Sequence, residues 1–427
     1  MHQPPLSPAD LDPVPDQSPH YVRAVADTGE QHQIVAKEDI YAANGMKLFA
    51  KGAHINRSQC ERLTEYKLRV PLDLMLSMTD CMDAAQLARE ANTMLTDDPV
   101  MARLAERTGD PLGFRQALGA LALPEPLCFR LTVMREQRAG LFQHSLRTAF
   151  AAYSLAEQLD RSNQDKQDLL MAGLCHDMGE MHTDPLLLQL ERQLTPQERR
   201  YIHVHPITSY VVLRDVPGVS AGTIQAVLHH HERIDGSGYP YGLFGMKIHP
   251  LAKLLSLAEL TETVLRRANP QRLDVLLRLN QRRLDPVAVN ALRLLACEET
   301  KDAQSSTTGR NPQMQLTHVT EIFNIWGPLR KPLSKQTAGV PALGFIEVRM
   351  EMLRSMVLQI GINPSHAGVL LKTFEQENAM LNELQAALDE LEWMMLDIAD
   401  EIERKVEVLD VPCRTLVAEL VVALRAA

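Results

Sequence analysis

The sequence predicts a mainly α-helical protein: a helical bundle core, a small β-containing module before it, and a helical, coiled-coil-like extension after it. Apolar residues recur at helical spacing from about Ala84 onward, while hairpin-type turn signals are confined to the stretch between Gln33 and Asp73. Near the C-terminus a run of apolar residues keeps a heptad spacing.

Taken in order, residues 1–30 read as a disordered tail, because MHQPPLSPADLDPVPDQSPH is rich in proline and acid and offers no face to bury. Residues 31–80 read as a small α+β module. Its short apolar stretches are broken at Asn44-Gly45 and Lys51-Gly52, and SQCERLTEYKL reads as a short helix. Residues 81–300 form the helical domain. FQHSLRTAFAAYSLAEQL places Leu146, Ala149, Phe150, Tyr153 and Leu159 on one broad apolar face, and KQDLLMAGLCHDMG forms the next helix, ending near Gly179. Thr195-Pro196-Gln197-Glu198 is a capping box with proline at the first helical position, so a third helix starts there. Further helices are expected over roughly 221–231, 251–266 and 286–297. Residues 301–340 are assigned as a linker, on the polar, glycine-containing run KDAQSSTTGRNPQ. Residues 341–427 are helical again, with Leu381, Leu384, Leu388, Leu391, Met395, Ile398, Ile402 and Val406 stepping by three and four. That seam fits either an intramolecular hairpin or a homodimer.

At 427 residues the chain is too long for one compact core, so two or three domains are expected. Net charge is −10, from 44 basic and 54 acidic residues, which opposes non-specific binding to DNA, RNA or an anionic membrane face. The six cysteines are scattered without CxxC pairs, as in a reduced cytoplasmic protein. No apolar run reaches the roughly 20 residues of a membrane helix, and the N-terminus has no apolar signal segment. A cytoplasmic location is expected.

His144, His176, His203, His205, His229, His230 and His231 fall within ninety residues, and Asp177 follows His176 directly. A lone histidine on a helix is usually a packing residue. Several on successive helices, one joined to an aspartate, suit a metal site inside a bundle, where imidazole and carboxylate bind borderline first-row metals. Adjacent residues on a regular helix point about 100° apart. His176 and Asp177 are therefore expected to converge at a helix end where Gly179 releases the backbone, with the aspartate bridging two ions.

The most specific stretch is His230-His231-Glu232-Arg233-Ile234-Asp235-Gly236-Ser237-Gly238-Tyr239-Pro240. Together with the upstream His176-Asp177 pair it resembles the HD-GYP phosphodiesterases, over roughly residues 120–300. The resemblance implies an HD-type helical domain holding two divalent ions, iron or manganese, on His144, His176, Asp177, His205, His230, His231 and Glu259. His176 and Asp177 would be catalytic residues. Gly236, Gly238, Tyr239 and Pro240 would border the substrate pocket; Lys253, Arg266 or Arg267, which the resemblance does not itself supply, are candidate substitute phosphate contacts. His203 and His229 would be bystanders. The substrate implied is a cyclic dinucleotide, cyclic di-GMP above all, hydrolysed by activated water in second-messenger signalling.

The chain departs from the family pattern at three places. Glu180 stands where the family carries lysine, Glu259 replaces aspartate, and Arg266-Arg267-Ala268-Asn269-Pro270-Gln271 replaces an Arg-Pro-Tyr-Arg-like segment. The ligand set is nearly complete while the phosphate-binding set is eroded. A degenerate domain that binds a nucleotide or protein without turnover is therefore the alternative expectation.

Overall fold

Ser18 caps the first helix, α1 (Pro19–Thr28): its hydroxyl accepts from the Tyr21 N–H, and Pro19 sits where a missing N–H has no cost. Tyr21, Val22, Val25 and Ala26 then fall inside the core. From residue 18 the expected tail over 1–30 gives way to a helix, because a cap and an amphipathic turn follow there. Residues 1–17 lie outside the described residues, which in this computed structural model are 18–108, 111–188, 194–267, 270–296, 311–337, 343–360, 378–406 and 411–426.

Next come β1 (Ile34–Ala36), β2 (Ile40–Tyr41) and β3 (Lys47–Phe49). The last two form a hairpin with Ile40 opposite Phe49, closed at Asn44-Gly45 with Gly45 at φ 87°. α2 (Arg57–Glu65) is the expected short helix, and after α3 (Leu72–Met75) the chain returns as β4 (Leu76–Met78), antiparallel to β1. The module does not stand apart. Residues Met1–Thr263 and Arg282–Ala296 make one compact unit. Asp73 on α3, 2% exposed, accepts from the Tyr21 hydroxyl and pairs with Arg130, while the Tyr21 ring stacks on His182 at 4.7 Å. A buried ion pair of this kind joins its elements firmly, since removing one partner strands the other.

The helical core holds α4 (Ala84–Asp97), α5 (Pro99–Thr108), α6 (Pro111–Gly119), α7 (Glu125–Gln137), α8 (Ala139–Gln158), α9 (Asn163–Cys175), α10 (Pro196–His203), α11 (His205–Arg214) and α12 (Ala221–His229). α13 (Pro250–Arg267), α14 (Pro270–Leu279) and α15 (Pro286–Ala296) follow. α9 is buried on every side from Asp168 to Cys175, the mark of a central helix. α8 crosses it where Gly173 meets Ala149: a β-carbon at 173 would overlap the Ala149 backbone. Phe142, Leu146 and Phe150 of α8 are at most 1% exposed, each contributing roughly 1.5–3 kcal/mol through burial.

The second unit comprises Val264–Gln281 and Cys297–Ala427. Its helices are α14, α16 (Pro312–Thr337), α17 (Gly344–Gln359), α18 (Asn378–Val406) and α19 (Val411–Arg425). The expected linker over 301–340 is corrected from residue 312, where proline starts a 26-residue helix; residues 301–310 lie outside the described set. The heptad residues Leu384, Leu388, Leu391, Met395, Ile398, Ile402 and Val406 are buried with Leu316, Ile322, Leu353 and Leu420 in this unit's own core. The seam's apolar face is thus covered within the chain, as the intramolecular alternative expects; the Leu381 side chain lies outside the described set. Among the described residues no helix is long and apolar enough to cross a membrane.

Candidate metal centre

Five elements deliver the clustered side chains. His144 comes from the second turn of α8, His176 and Asp177 from the end of α9, and His205 from the first position of α11. His230 and His231 close α12, and Glu259 lies mid-way along α13. The α8–α9 crossing is tight enough to bring His144 Nε2 to 3.3 Å from His176 Nε2. Asp177 follows His176 into a 3-10 turn, Met178–His182. The helix ends there as expected, although Gly179 does not adopt a left-handed backbone. It instead allows close packing: a β-carbon would strike the His205 carbonyl and Ser209. The Gly179 N–H donates to Ser209 Oγ at 2.8 Å, and that hydroxyl donates to the His176 carbonyl at 2.6 Å, locking α9 onto α11.

The structure brings all seven residues together in two groups. Asp177, His205, His230 and His231 form one, and His144, His176 and Glu259 the other, with donor atoms in each within 4.8 Å. Asp177, 5% exposed, lies between them. Its Oδ2 is 3.1 Å from His176 Nε2 and 3.4 Å from His144 Nε2, while its Oδ1 is 3.2 Å from His205 Nε2 and 3.7 Å from His230 Nε2. One carboxylate oxygen facing each group is how a bridging ligand presents itself. Glu259 Oε1 also approaches His231 Nε2, at 3.7 Å.

The donor chemistry fits a cation. The Nδ1–H groups of His176, His205 and His230 donate to peptide carbonyls, so the neutral rings present bare Nε2 lone pairs. Yet His205 Nε2 lies 3.2 Å from His230 Nε2 and 3.1 Å from His231 Nε2. Lone pairs facing one another at hydrogen-bond distance repel unless a proton or a metal ion stands between them. Imidazoles and carboxylates in this proportion are the donors of borderline first-row ions. Without metal, protons fill that role. Burial alone would lower the His144, His176 and His205 imidazoles, but Asp177 raises all three, His205 to about 9. Burial alone would raise Asp177, and the facing imidazoles hold it well below the usual carboxylate range. His230 and His231, buried and crowded by other imidazoles, are pushed down.

The loop after α12 is built mainly from its own contacts. Glu232, 3% exposed, accepts from the Tyr241 and Leu243 N–H groups at 2.7 and 2.8 Å, and Arg233 donates to Ser256. Gly236, at φ 75°, and Gly238 leave no room for a β-carbon, but what crowds them is Phe244 and the backbone of 231–233. Tyr239, whose bond to Pro240 is cis, stacks on His231 at 4.6 Å and on His203 at 4.4 Å, so its ring covers the His231 side of the cluster. His203, read from the sequence as a bystander, touches that ring. Lys253 Nζ lies 3.8 Å from Asp285 Oδ2.

Sequence reading missed further residues around the site. Glu262, one turn beyond Glu259 on α13, accepts from His144 Nδ1 at 2.7 Å, and its i, i+3 spacing from Glu259 was the available signal. Arg138, at the α7–α8 junction, donates to the Thr183 carbonyl at 3.2 Å and lies within electrostatic reach of Glu180 and Asp184. No local pattern marks it, because its neighbours arrive from 42 residues or more downstream. Glu180 itself is pushed up to about 7, by burial first and by the charge of Asp177 second.

Known proteins resemble this chain over the same region. Residues 126–286 match the HD domain family. A cyclic di-GMP phosphodiesterase of Pseudomonas aeruginosa is 33% identical over 123 residues, 29% of this chain and 30% of that protein. 3'3'-cGAMP-specific phosphodiesterase 1 of Vibrio cholerae is 31% identical over 159 residues, 37% of this chain and 36% of that protein. The cyclic di-GMP phosphodiesterase response regulator RpfG of Xanthomonas campestris is 34% identical over 121 residues, 28% of this chain and 32% of that protein. The chain thus spans about a third of the length of these relatives. Residues 126–286 thus carry an HD domain, and its His-Asp pair, converging histidines and loop ending in Gly238-Tyr239-Pro240 are those by which the sequence resembles the HD-GYP group.

Proposed function

We propose that this protein is a metal-dependent phosphodiesterase that hydrolyses a cyclic dinucleotide, cyclic di-GMP first among them. The observation that carries the reading is Asp177, which offers one oxygen to each of two imidazole groups in a site where bare nitrogens converge. His144, His176 and Glu259 would hold one divalent ion, and His205, His230 and His231 a second, with Asp177 shared; iron or manganese suits this set. Such ions supply Lewis-acid stabilisation of phosphoryl oxygens and water that ionises near neutral pH. The chain's own groups do the rest. Backbone carbonyls fix the ring tautomers, Asp177 keeps its negative charge, and Tyr239 covers one side of the cluster. A cytoplasmic location accompanies this reading, since the cysteines are scattered in sequence and Cys81, Cys128 and Cys175 are free thiols, which suits a reducing compartment.

A second reading, binding without turnover, draws on Glu180. A carboxylate beside the cluster opposes an incoming phosphate, and Lys253 is directed to Asp285. One assay separates the two. Anaerobically purified protein is given cyclic di-GMP and 3'3'-cGAMP in parallel, as native chain, Asp177→Ala and Glu180→Lys. Native turnover that Asp177→Ala abolishes supports the enzyme. Bound nucleotide without turnover in the native chain, with hydrolysis appearing only in Glu180→Lys, supports the degenerate reading.

A further inference from the structure

The imidazoles of the cluster are not oriented alike. His176, His205 and His230 each donate Nδ1–H to the peptide carbonyl three residues earlier, Gly173, Ile202 and Val227, at 2.9, 2.8 and 2.5 Å. His144 instead meets a carboxylate, with its Nδ1 2.7 Å from Glu262 Oε2. Glu262 is 1% exposed, so this contact is shielded from water. It is also anchored from outside the site. Glu262 Oε1 lies 3.6 Å from Arg147 Nη1, and Arg147 Nε donates to Asp98 Oδ2 at 2.8 Å. Asp98 in turn sits at the junction of α4 and α5, where its Oδ1 accepts from the Val100 and Met101 N–H groups at 3.0 and 3.2 Å.

A carboxylate hydrogen-bonded to a ligating imidazole fixes the ring and raises its basicity, and the loss of such a partner typically lowers metal affinity by about 10- to 100-fold. A peptide carbonyl fixes the tautomer with much less electron donation. The two groups therefore differ in strength. The His144 group has Glu259 directly, Asp177 Oδ2, and the charge of Glu262 behind His144. The other group has Asp177 Oδ1 and three imidazoles, with the His205 and His230 rings backed by peptide carbonyls, and Glu259 reaches it only at 3.7 Å from His231 Nε2.

We infer that Glu262 is a positioning residue that makes the two ion positions unequal, so that the His144 position fills first and retains its ion longer. This rests on the two-ion reading above. It goes beyond that reading by assigning an order of loading and naming Asp98, Arg147 and Glu262 as the chain of residues that sets it.

The test is anaerobic titration of the metal-free full chain with Co(II), followed by calorimetry and by the ligand-field absorption of the bound ion. The native chain is expected to bind in two resolved steps. Glu262→Gln keeps the volume and a hydrogen-bond acceptor but removes the charge. It should weaken the first step by about 10-fold or more, shift its absorption bands, and leave the second step within about threefold. Arg147→Met, which keeps Glu262 but removes its anchor, should give a smaller loss in the same step, and it serves as the second variant if Glu262→Gln does not fold. Two native steps that neither variant alters, or two native ions bound with equal affinity, overturn the inference while leaving the metal site standing. A native chain that takes up no Co(II) sinks the two-ion reading itself.

Discussion

His182 shows what burial does to a single residue beside the site. Its Nε2 accepts from Arg130 Nη1 at 3.3 Å and its ring stacks on Tyr21. Burial first, and the Arg130 charge second, hold its imidazole well below the ordinary value of 6.5. The ring is therefore neutral in the fold but takes a proton in the unfolded chain. Its contribution is fully present above pH 6.5 and is lost as pH falls below it, by about 1.4 kcal/mol per pH unit. His182→Gln keeps an acceptor for Arg130 but does not titrate. Denaturant unfolding of the metal-free first unit should then lose stability more slowly in the variant than in the native chain between about pH 6.5 and 5. Parallel slopes for the two proteins would refute this account of His182. Residues of this kind were only partly legible in the sequence. His176-Asp177 and the run from His230 to Pro240 stood out because their neighbours are contiguous. Glu262 and Arg138 did not, because their partners come from other helices.

Among the elements, the crossing of α8 and α9 decides whether a site exists at all. Gly173 lets the helices approach at Ala149, which sets His144 against His176. Gly173→Ala forces the helices apart, since its methyl would meet backbone and not a flexible side-chain end. A cost of about 1–3 kcal/mol is expected from overpacking, read from the denaturation midpoint. Metal uptake should fall with it. Unchanged stability together with full uptake would show that the crossing is looser than described. The capping box at Thr195, the hairpin turn at Gly45 and the central helix α9 were all legible, because each depends on residues a few positions apart. α1 and α16 were missed where a polar or proline-rich run was extended too far. Both begin with proline, which the composition alone presented as a breaker.

Across the whole molecule, the heptad seam illustrates why a pattern does not name its partner. The spacing on α18 fits either a second copy or the chain's own helices, and in the fold it packs with α16, α17 and α19. Leu391, 0% exposed, is central to that packing. Leu391→Lys should unfold the second unit, seen as lost helical circular dichroism, with a cost above about 3 kcal/mol for an unpaired buried charge. A variant that stays folded and merely changes from dimer to monomer in sedimentation would favour the dimer reading. The first unit's chemistry depends on one claim above all, that the cluster around Asp177 holds metal. The most direct check is elemental analysis of anaerobically purified native chain beside Asp177→Ala. The account predicts two divalent ions per native chain and at most one, weakly held, in the variant. Metal-free native protein, or equal metal in both, would contradict it.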